Sequence, residues 1–145
     1  MKVLMNTLTV DLFLKLYTSV GWIASCKEQV ERALENTLAS FVAYEDDKPV
    51  GMVRILGDNG MSFYIKDFAV IPKYQGKGIG KLLISEVQNY ILSNIDKDWS
   101  VSLELISTKE GVKFYKKNGF EERPCEWDGP GMFKMIKNIS NLITD

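Results

Sequence analysis

The stretch "AVIPKYQGKGIGKLLISEV", Ala69 to Val87, places Gly76, Gly78 and Gly80 between an apolar run and an amphipathic one. Each glycine inside a helix costs roughly 1 kcal/mol relative to alanine. Three at a helix start therefore point to a special turn or to close approach of the backbone to a ligand. "MSFYIKDFAVI" (Met61–Ile71) is rich in aromatic and branched residues and reads as a long strand. After the glycines, Leu82, Leu83, Val87, Tyr90 and Ile91 recur at helical spacing. A strand that enters a Gly-rich turn opening a helix is an anion-binding arrangement. The first helical N–H groups have no partner within the helix, and the positive end of the dipole adds to them. Lys77 and Lys81 bring charge close by. A phosphate-bearing ligand is the expectation.

Two well-known phosphate loops fit poorly. A Walker loop needs a hydroxyl after Gly-Lys to hold magnesium, and Gly80-Lys81 is followed by Leu82. A dinucleotide fingerprint needs Gly-x-Gly-x-x-Gly after an early strand in repeated βαβ units. Here the glycines alternate and the preceding strands read as hairpins.

The rest of the chain frames this segment. Lys2–Met5 reads as a strand; Leu12, Phe13, Leu16, Tyr17 and Val20 as a helix with Thr9 as its N-cap and Gly21 as its stop. Ser25 and Glu28 have the spacing of a capping box ahead of a second helix carrying Val30, Ala33, Leu34 and Leu38. "FVAYE" (Phe41–Glu45) and "VGMVRIL" (Val50–Leu56) are strands joined by a turn, and "GDNG" (Gly57–Gly60) closes the next hairpin. "VSLELIS" (Val101–Ser107) is a strand and "TKEGVKFYKKN" a short helix ended by Asn118-Gly119. "GFEER" and "MFKMI" close the order as strands around the "DGPG" turn, Asp128–Gly131. The order β-α-α-β-β-β-α-β-α-β-β describes an α/β (α+β) chain with helices on a mixed, mainly antiparallel sheet.

Composition excludes several function classes. The 145 residues suit one domain, 1–145, and the formal charge of −1 gives no case for nucleic acid as the main partner. No apolar run has the length of a membrane span, and Asp11 and Lys15 interrupt the N-terminal apolar stretch, so a cytoplasmic protein without a signal peptide or membrane partner is expected. Histidine is absent, which removes His-based nucleophile systems and His-based zinc motifs. Two distant cysteines, Cys26 and Cys125, make a poor metal site and read as free thiols, so no metal is expected. Proton transfer must then fall to carboxylates, tyrosine, cysteine, lysine or water.

The pattern Gln75-x-x-Gly78-x-Gly80 resembles the Arg/Gln-x-x-Gly-x-Gly/Ala signature of the GNAT superfamily, the acetyl-CoA-dependent N-acetyltransferases. "DFAVIPKYQGKGIGKLL" is similar to the family's central strand, loop and helix start, and "FYKKNGFEE" to its later helix-to-strand segment. The element order agrees from about Thr9 to Ile136. The resemblance implies a twisted sheet of about six to seven strands flanked by about four helices, and acetyl-CoA as co-substrate. It also implies roles. Main-chain N–H groups of Gln75, Gly76, Lys77, Gly78, Ile79, Gly80 and Lys81 would cradle the pyrophosphate. Phe68, Ala69 and Val70 would pair with the pantetheine arm, where the fourth and fifth strands splay apart. A main-chain N–H there would stabilise the oxyanion. Tyr115 would be the general acid for the departing thiolate, although it also suits the core of a short helix. Thr108 and Gly111 stand where the family often has asparagine and alanine; Thr108 can still donate to the pantetheine arm.

Direct attack by an amine needs a base, often through water. Asp67 is the first candidate, ahead of Glu104, and Cys125 as acyl carrier is a weaker one. Each also has an ordinary structural reading, as an ion-pair partner or a packing residue. The resemblance also implies that the loop between the first two helices and the turn before the last strand line the acceptor side. These hold Tyr17, Trp22 and Trp127, with Glu126 and Asp128 beside them, which suit a cationic small-molecule amine. Trp22 and Trp127 equally suit a core or a homodimer contact. The leading expectation is acetyl transfer to a small primary amine. A protein or peptide N-acetyltransferase and a non-catalytic coenzyme A-binding module are the alternatives.

Overall fold

The computed structural model describes residues 1–139, so the end of the expected 1–145 domain, residues 140–145, lies outside the described residues. Two compact units are present, Met1–Leu105 and the residues from Ile106 on.

The first unit holds a five-stranded sheet in the order β1-β2-β3-β4-β5. Its strands are β1 (Lys2–Met5), β2 (Ala39–Glu45), β3 (Lys48–Gly57), β4 (Ser62–Val70) and β5 (Ser102–Glu104). The first four are antiparallel and β5 joins β4 in parallel. The β2–β3 turn places Asp46 and Asp47 consecutively at φ +48° and +62°, the double left-handed pair that matches strand twist in a two-residue hairpin. In the β3–β4 turn, Asp58 Oδ1 accepts the N–H groups of Gly60, Met61 and Ser62 at 2.8–3.0 Å. Those three bonds hold its carboxyl down at about 2.

Helix α1 (Val10–Ser19) starts where Thr9 accepts the Leu12 N–H, and Gly21 at φ +86° ends the turn beyond it. Helix α2 (Lys27–Glu35) departs from expectation at its start. Cys26 is the N-cap and no side chain caps it, because the helix begins one residue later than the Ser25–Glu28 box requires. Glu28 then sits at the second helical position rather than the third. Phe13, Leu16 and Val30 pack with Val42, Met52 and Ala69 on one face of the sheet. Helix α3 (Ile79–Asn94), the connection between β4 and β5, buries Ile79, Leu83, Ile84, Val87 and Ile91 on the sheet, with Tyr90 edge-on to Phe41. Gly51 of β3 makes that docking close: a Cβ there would meet the Ala69 carbonyl at 3.2 Å and Ile79 and Leu83 side chains at 3.3 Å. Among the described residues no helix is long and apolar enough to cross a membrane.

The second unit holds a 3-10 turn (Lys109–Gly111) and helix α4 (Val112–Lys117). Gly119, at φ +91°, donates to the Lys116 carbonyl and Phe120 to that of Tyr115. This is a Schellman stop, and the Tyr115–Phe120 ring contact at 5.7 Å is its usual apolar clasp.

The strand count is a correction: five strands form among the described residues, against six to seven expected. "VSLELIS" contributes three paired residues, and neither "GFEER" nor "MFKMI" is a strand. In the first, the Phe120 N–H is committed to the helix stop, and a Lys116–Glu122 ion pair at 3.0 Å curls the segment back on α4. In the second, the apolar residues come in adjacent pairs, Met132–Phe133 and Met135–Ile136, so no single pleat face collects them. All four are 83–89% exposed.

Gly51→Val should destabilise the chain by about 1–3 kcal/mol, the usual cost of overpacking. Urea unfolding checks this, and an unchanged midpoint would show that α3 can yield.

Candidate functional site

The β4–α3 junction begins with a turn that folds onto its own strand. Ile71 donates to the Val50 carbonyl at 2.9 Å, and Pro72–Tyr74 form a 3-10 turn. The Gln75 side-chain amide then reaches back to the Val70 carbonyl at 2.9 Å, tying the loop to the end of β4. Gly76 and Gly78 take φ values of +77° and +86°, conformations that favour glycine. A Cβ at either position would touch nothing within 4 Å. Backbone shape therefore demands these glycines, and the space over them is open.

Gly78 is the N-cap of α3, with no side chain capping the helix. The first intrahelical bond runs from the Leu82 N–H to the Gly78 carbonyl, so Ile79, Gly80 and Lys81 direct N–H groups that have no acceptor within the helix. Ile79 is buried beneath them, while Gly76, Lys77, Gly78 and Lys81 are exposed. The Lys73 and Lys77 ammonium groups both lie over the Tyr74 ring, at 5.3 and 5.2 Å from its centre. A row of donors at the positive end of a sixteen-residue helix, with lysines beside it, is built to receive an anion.

Strand β4 leads to this cradle with an irregularity. Met52 opposes Ala69 and Arg54 opposes Lys66, so two steps on β3 match three on β4. The extra residue is a β-bulge, and Asp67 within it has φ +55°. Its carboxylate Oδ2 accepts from Arg54 Nε at 2.7 Å, both side chains being about nine-tenths buried. Arg54 Nη1 also donates to Thr37 Oγ1 at 2.8 Å and to the Ala33 carbonyl at 3.4 Å. On the other side, β5 pairs only Ser62, Phe63 and Tyr64. Beyond Tyr64, β5 no longer pairs with β4, and this stretch of β4 runs toward the α3 cradle. Glu104 sits opposite Tyr64, at the end of the paired stretch.

The face of the sheet that carries α1 and α2 bears an aromatic row. Phe13 stacks on Tyr17, and Tyr17 meets Trp22 edge to face, each pair with centres 5.0 Å apart. The Tyr17 phenol is raised above its ordinary value, first by burial and then by the Asp67 carboxylate, with Arg54 acting in the opposite sense. Trp22 is half-buried and packs against the core of this face. Ile23, beside it, is 94% exposed.

In the second unit Thr108 precedes the 3-10 turn, where its side chain caps no N–H. Gly111 sits among the residues predicted to act. A Cβ there would lie 2.9 Å from Ser107 Oγ, 3.1 Å from Thr108 Oγ1 and 3.3 Å from the Tyr115 ring. Glycine at 111 is thus what lets Thr108 and Tyr115 come together. Burial pushes the Tyr115 phenol up to about 12. Trp127 is 68% exposed, next to Asp128, which pairs with Arg123 at 2.9 Å, and Cys125 is a half-buried free thiol. The residues missed from sequence are Gly51 and Arg54. Arg54 did carry a signal: a lone cation inside the apolar run "VGMVRIL" must find a partner when it is buried.

A strand that β5 leaves unpaired beyond Tyr64, leading into a helix start with N–H groups free of intrahelical acceptors, has the shape and polarity that suit an extended phosphorylated ligand. Comparison with known proteins supplies the class. Residues 36–122 match the family model of the acetyltransferase (GNAT) domain. An uncharacterized N-acetyltransferase of Pyropia yezoensis is 33% identical over 82% of this chain and 67% of its own. One from Prochlorococcus marinus is 31% identical over 76% and 61%. The chain thus spans about two thirds of the length of these relatives. Among solved structures, a probable acetyltransferase of meticillin-resistant Staphylococcus aureus superposes with TM-score 0.80 at 32% identity, covering 93% of this chain and 98% of its own. A GNAT family protein of Streptococcus pneumoniae gives 0.74 at 31%, covering 94% and 98%.

The chain belongs to the GNAT acetyltransferase family. It is a mixed α/β acetyltransferase domain with a mostly antiparallel sheet.

The Tyr115 shift predicts a pH dependence. The unfolded phenol loses its proton near 10 and the folded one near 12. Its contribution is therefore fully present below pH 10 and lost as pH rises toward 12, by about 2–3 kcal/mol. Unfolding titrations from pH 9 to 12 should fall more steeply in the wild type than in Tyr115→Phe, which keeps only the contributions of the raised Tyr17 and Tyr64 phenols. Equal slopes would place Tyr115 in solvent.

Proposed function

We propose that the chain transfers the acetyl group of acetyl-CoA directly to the primary amine of a small molecule. The observation that carries this is the start of α3, where open glycines expose N–H groups that have no acceptor within the helix. Main-chain N–H groups from Gly76 through Lys81 bind the pyrophosphate, and Lys77 and Lys81 supply charge. Gln75, expected to join them, has its N–H committed to the Pro72 carbonyl at 3.1 Å and its side-chain amide to Val70, so it shapes the loop instead. Main-chain groups of Phe68, Ala69 and Val70, on the stretch of β4 that β5 leaves unpaired, align the pantetheine arm. They hold the thioester carbonyl against an N–H donor, which stabilises the negative charge on that oxygen as the amine attacks.

Tyr115 serves the leaving sulfur. A phenol pushed up to about 12 keeps its proton at neutral pH. It is a far weaker acid than a thiol, whose pKa is ~8.5. Its contribution is then a hydrogen bond donated to the developing thiolate, and proton transfer follows from solvent. Thr108 is a second donor toward the pantetheine arm. The attacking amine loses its proton through water.

For the acceptor, the Tyr17–Trp22 edge favours an amine with an apolar or aromatic body. A serotonin N-acetyltransferase of Oryza sativa, 25% identical over 88% of this chain and 64% of its own, is in keeping with a small-amine acceptor. An aminoglycoside acetyltransferase solved with sisomicin shares the fold, with TM-score 0.66. A second reading, acetylation of protein lysine, draws on a relative named as a histone acetyltransferase of Glycine max, 30% identical over 72% of this chain.

A thiol-release screen with acetyl-CoA should give turnover with alkyl or arylalkyl amines and little with histone-tail peptides; the reverse order would replace the first reading by the second. Gly78→Glu should cost about 1–2 kcal/mol of stability at its left-handed φ without unfolding the chain, and weaken acetyl-CoA by at least about 100-fold, by blocking the pyrophosphate and repelling it. Wild-type affinity in that variant would remove the α3 loop from the donor site.

A further inference from the structure

The ion pair inside the β4 bulge has no task in the transfer chemistry as derived, yet it is buried and unusually well tied. Arg54 is 7% exposed within the otherwise apolar stretch Val50–Leu56 of β3. Three bonds hold its guanidinium: to Asp67 Oδ2 at 2.7 Å, to Thr37 Oγ1 at 2.8 Å and to the Ala33 carbonyl at 3.4 Å. Asp67 holds φ +55°, a conformation that aspartate and asparagine tolerate far better than other non-glycine residues.

The bulge decides what β4 presents beyond it. In a regular strand residues 66 and 69 would point to opposite faces. Here Lys66 opposes Arg54 and Ala69 opposes Met52, two β3 residues that share a face. Ala69 therefore packs in the α1 core, and Val70 comes opposite Gly51, against which Ile79 and Leu83 close. The Val70 carbonyl then takes the Gln75 amide that ties down the glycine loop. A continuous series of contacts runs from Arg54 to the start of α3.

We infer that Arg54 is a positioning residue which, by clamping Asp67 in the bulge, fixes the main chain of Phe68, Ala69 and Val70 where the thioester is held. This rests on the acetyl-CoA reading above. It gives Asp67 a holding task in place of the proton-accepting one expected from its position. Arg54 occupies the Oδ2 atom, and the neighbouring Tyr17 phenol, raised partly by the Asp67 charge, retains its proton.

Steady-state kinetics and backbone amide NMR of Asp67→Asn, Asp67→Ala and Arg54→Lys test the clamp. Asparagine tolerates the left-handed backbone and keeps a side-chain oxygen for Arg54 Nε. Asp67→Asn should therefore stay within about tenfold of wild-type kcat and keep the shape of the pH–rate profile. Asp67→Ala should lose about 100-fold in kcat, the usual result of displacing a positioned reactant by an ångström, with KM for acetyl-CoA changed less than about threefold. Arg54→Lys, which offers one point charge in place of a fork, should move the amide resonances of residues 67–70 and lower kcat about tenfold.

Equal losses in the asparagine and alanine variants, with the acid limb of the profile gone, would make Asp67 the base and overturn the clamp. Variants that melt earlier but keep kcat and the 67–70 resonances would also overturn it. Should Asp67→Ala not fold, Arg54→Lys and Asp67→Asn decide alone. A wild type that neither binds nor turns over acetyl-CoA would fail the donor reading instead. The free-chain resonances still judge the clamp in that case: moved by Arg54→Lys they uphold it, unmoved they refute it.

Discussion

A single buried contact, Arg54 Nε to Asp67 Oδ2, sits where the sheet changes from regular pairing to ligand-binding geometry. Burying a guanidinium and a carboxylate is unfavourable unless both are paired and hydrogen-bonded. Here the cost is offset by a third partner just beyond α2, Thr37. In return β4 gains one residue, its later side chains turn to the opposite face, and its last carbonyl is in place for Gln75. The helix packing on one face and the loop geometry beyond the strand both descend from that shift. Gly51, one residue before Met52, completes it by leaving room for the first turns of α3.

The glycines of the β4–α3 loop solve two problems together. Gly76 and Gly78 allow a backbone path with positive φ, so that the chain can leave a strand and enter a helix within a few residues. They also leave the N–H groups at the helix start uncovered. A side chain there would meet no protein atom, which separates this loop from Gly51 and Gly111, where glycine is required by neighbours within 3.3 Å. Gly21 and Gly119 are equally open but lie at helix ends. At the β4–α3 loop the open glycines stand over helix-start N–H groups that have no intrahelical acceptor, and that coincidence singles out the binding surface.

Much of this was legible in the residues. Thr9, Gly21 and Asn118-Gly119 bound their helices because caps and stops are local chemistry, settled within four residues. The β2–β3–β4 hairpins followed from apolar and branched runs with turn residues between them. The capping box at Ser25 and Glu28 matched in spacing but missed by one residue, since helix packing sets where α2 starts. Strand pairing was harder to read: "GFEER" and "MFKMI" have strand-like residues, but one is consumed by a helix stop and the other has no single apolar face. The bulge left no local trace. Only the pairing of Arg54 with Lys66 rather than with Asp67 reveals it, and pairing register is a property of two strands. The acceptor side stayed indistinct for a related reason, since aromatic residues such as Trp22 serve packing and recognition alike.

The most direct measurement is a crystal structure of the chain with coenzyme A. The pyrophosphate oxygens should accept hydrogen bonds, at about 2.7–3.2 Å, from main-chain N–H groups of Gly76 to Lys81. The pantetheine arm should run along Phe68–Val70. A coenzyme A molecule bound elsewhere, with those N–H groups facing water, would contradict the assignment of the α3 start as the donor site.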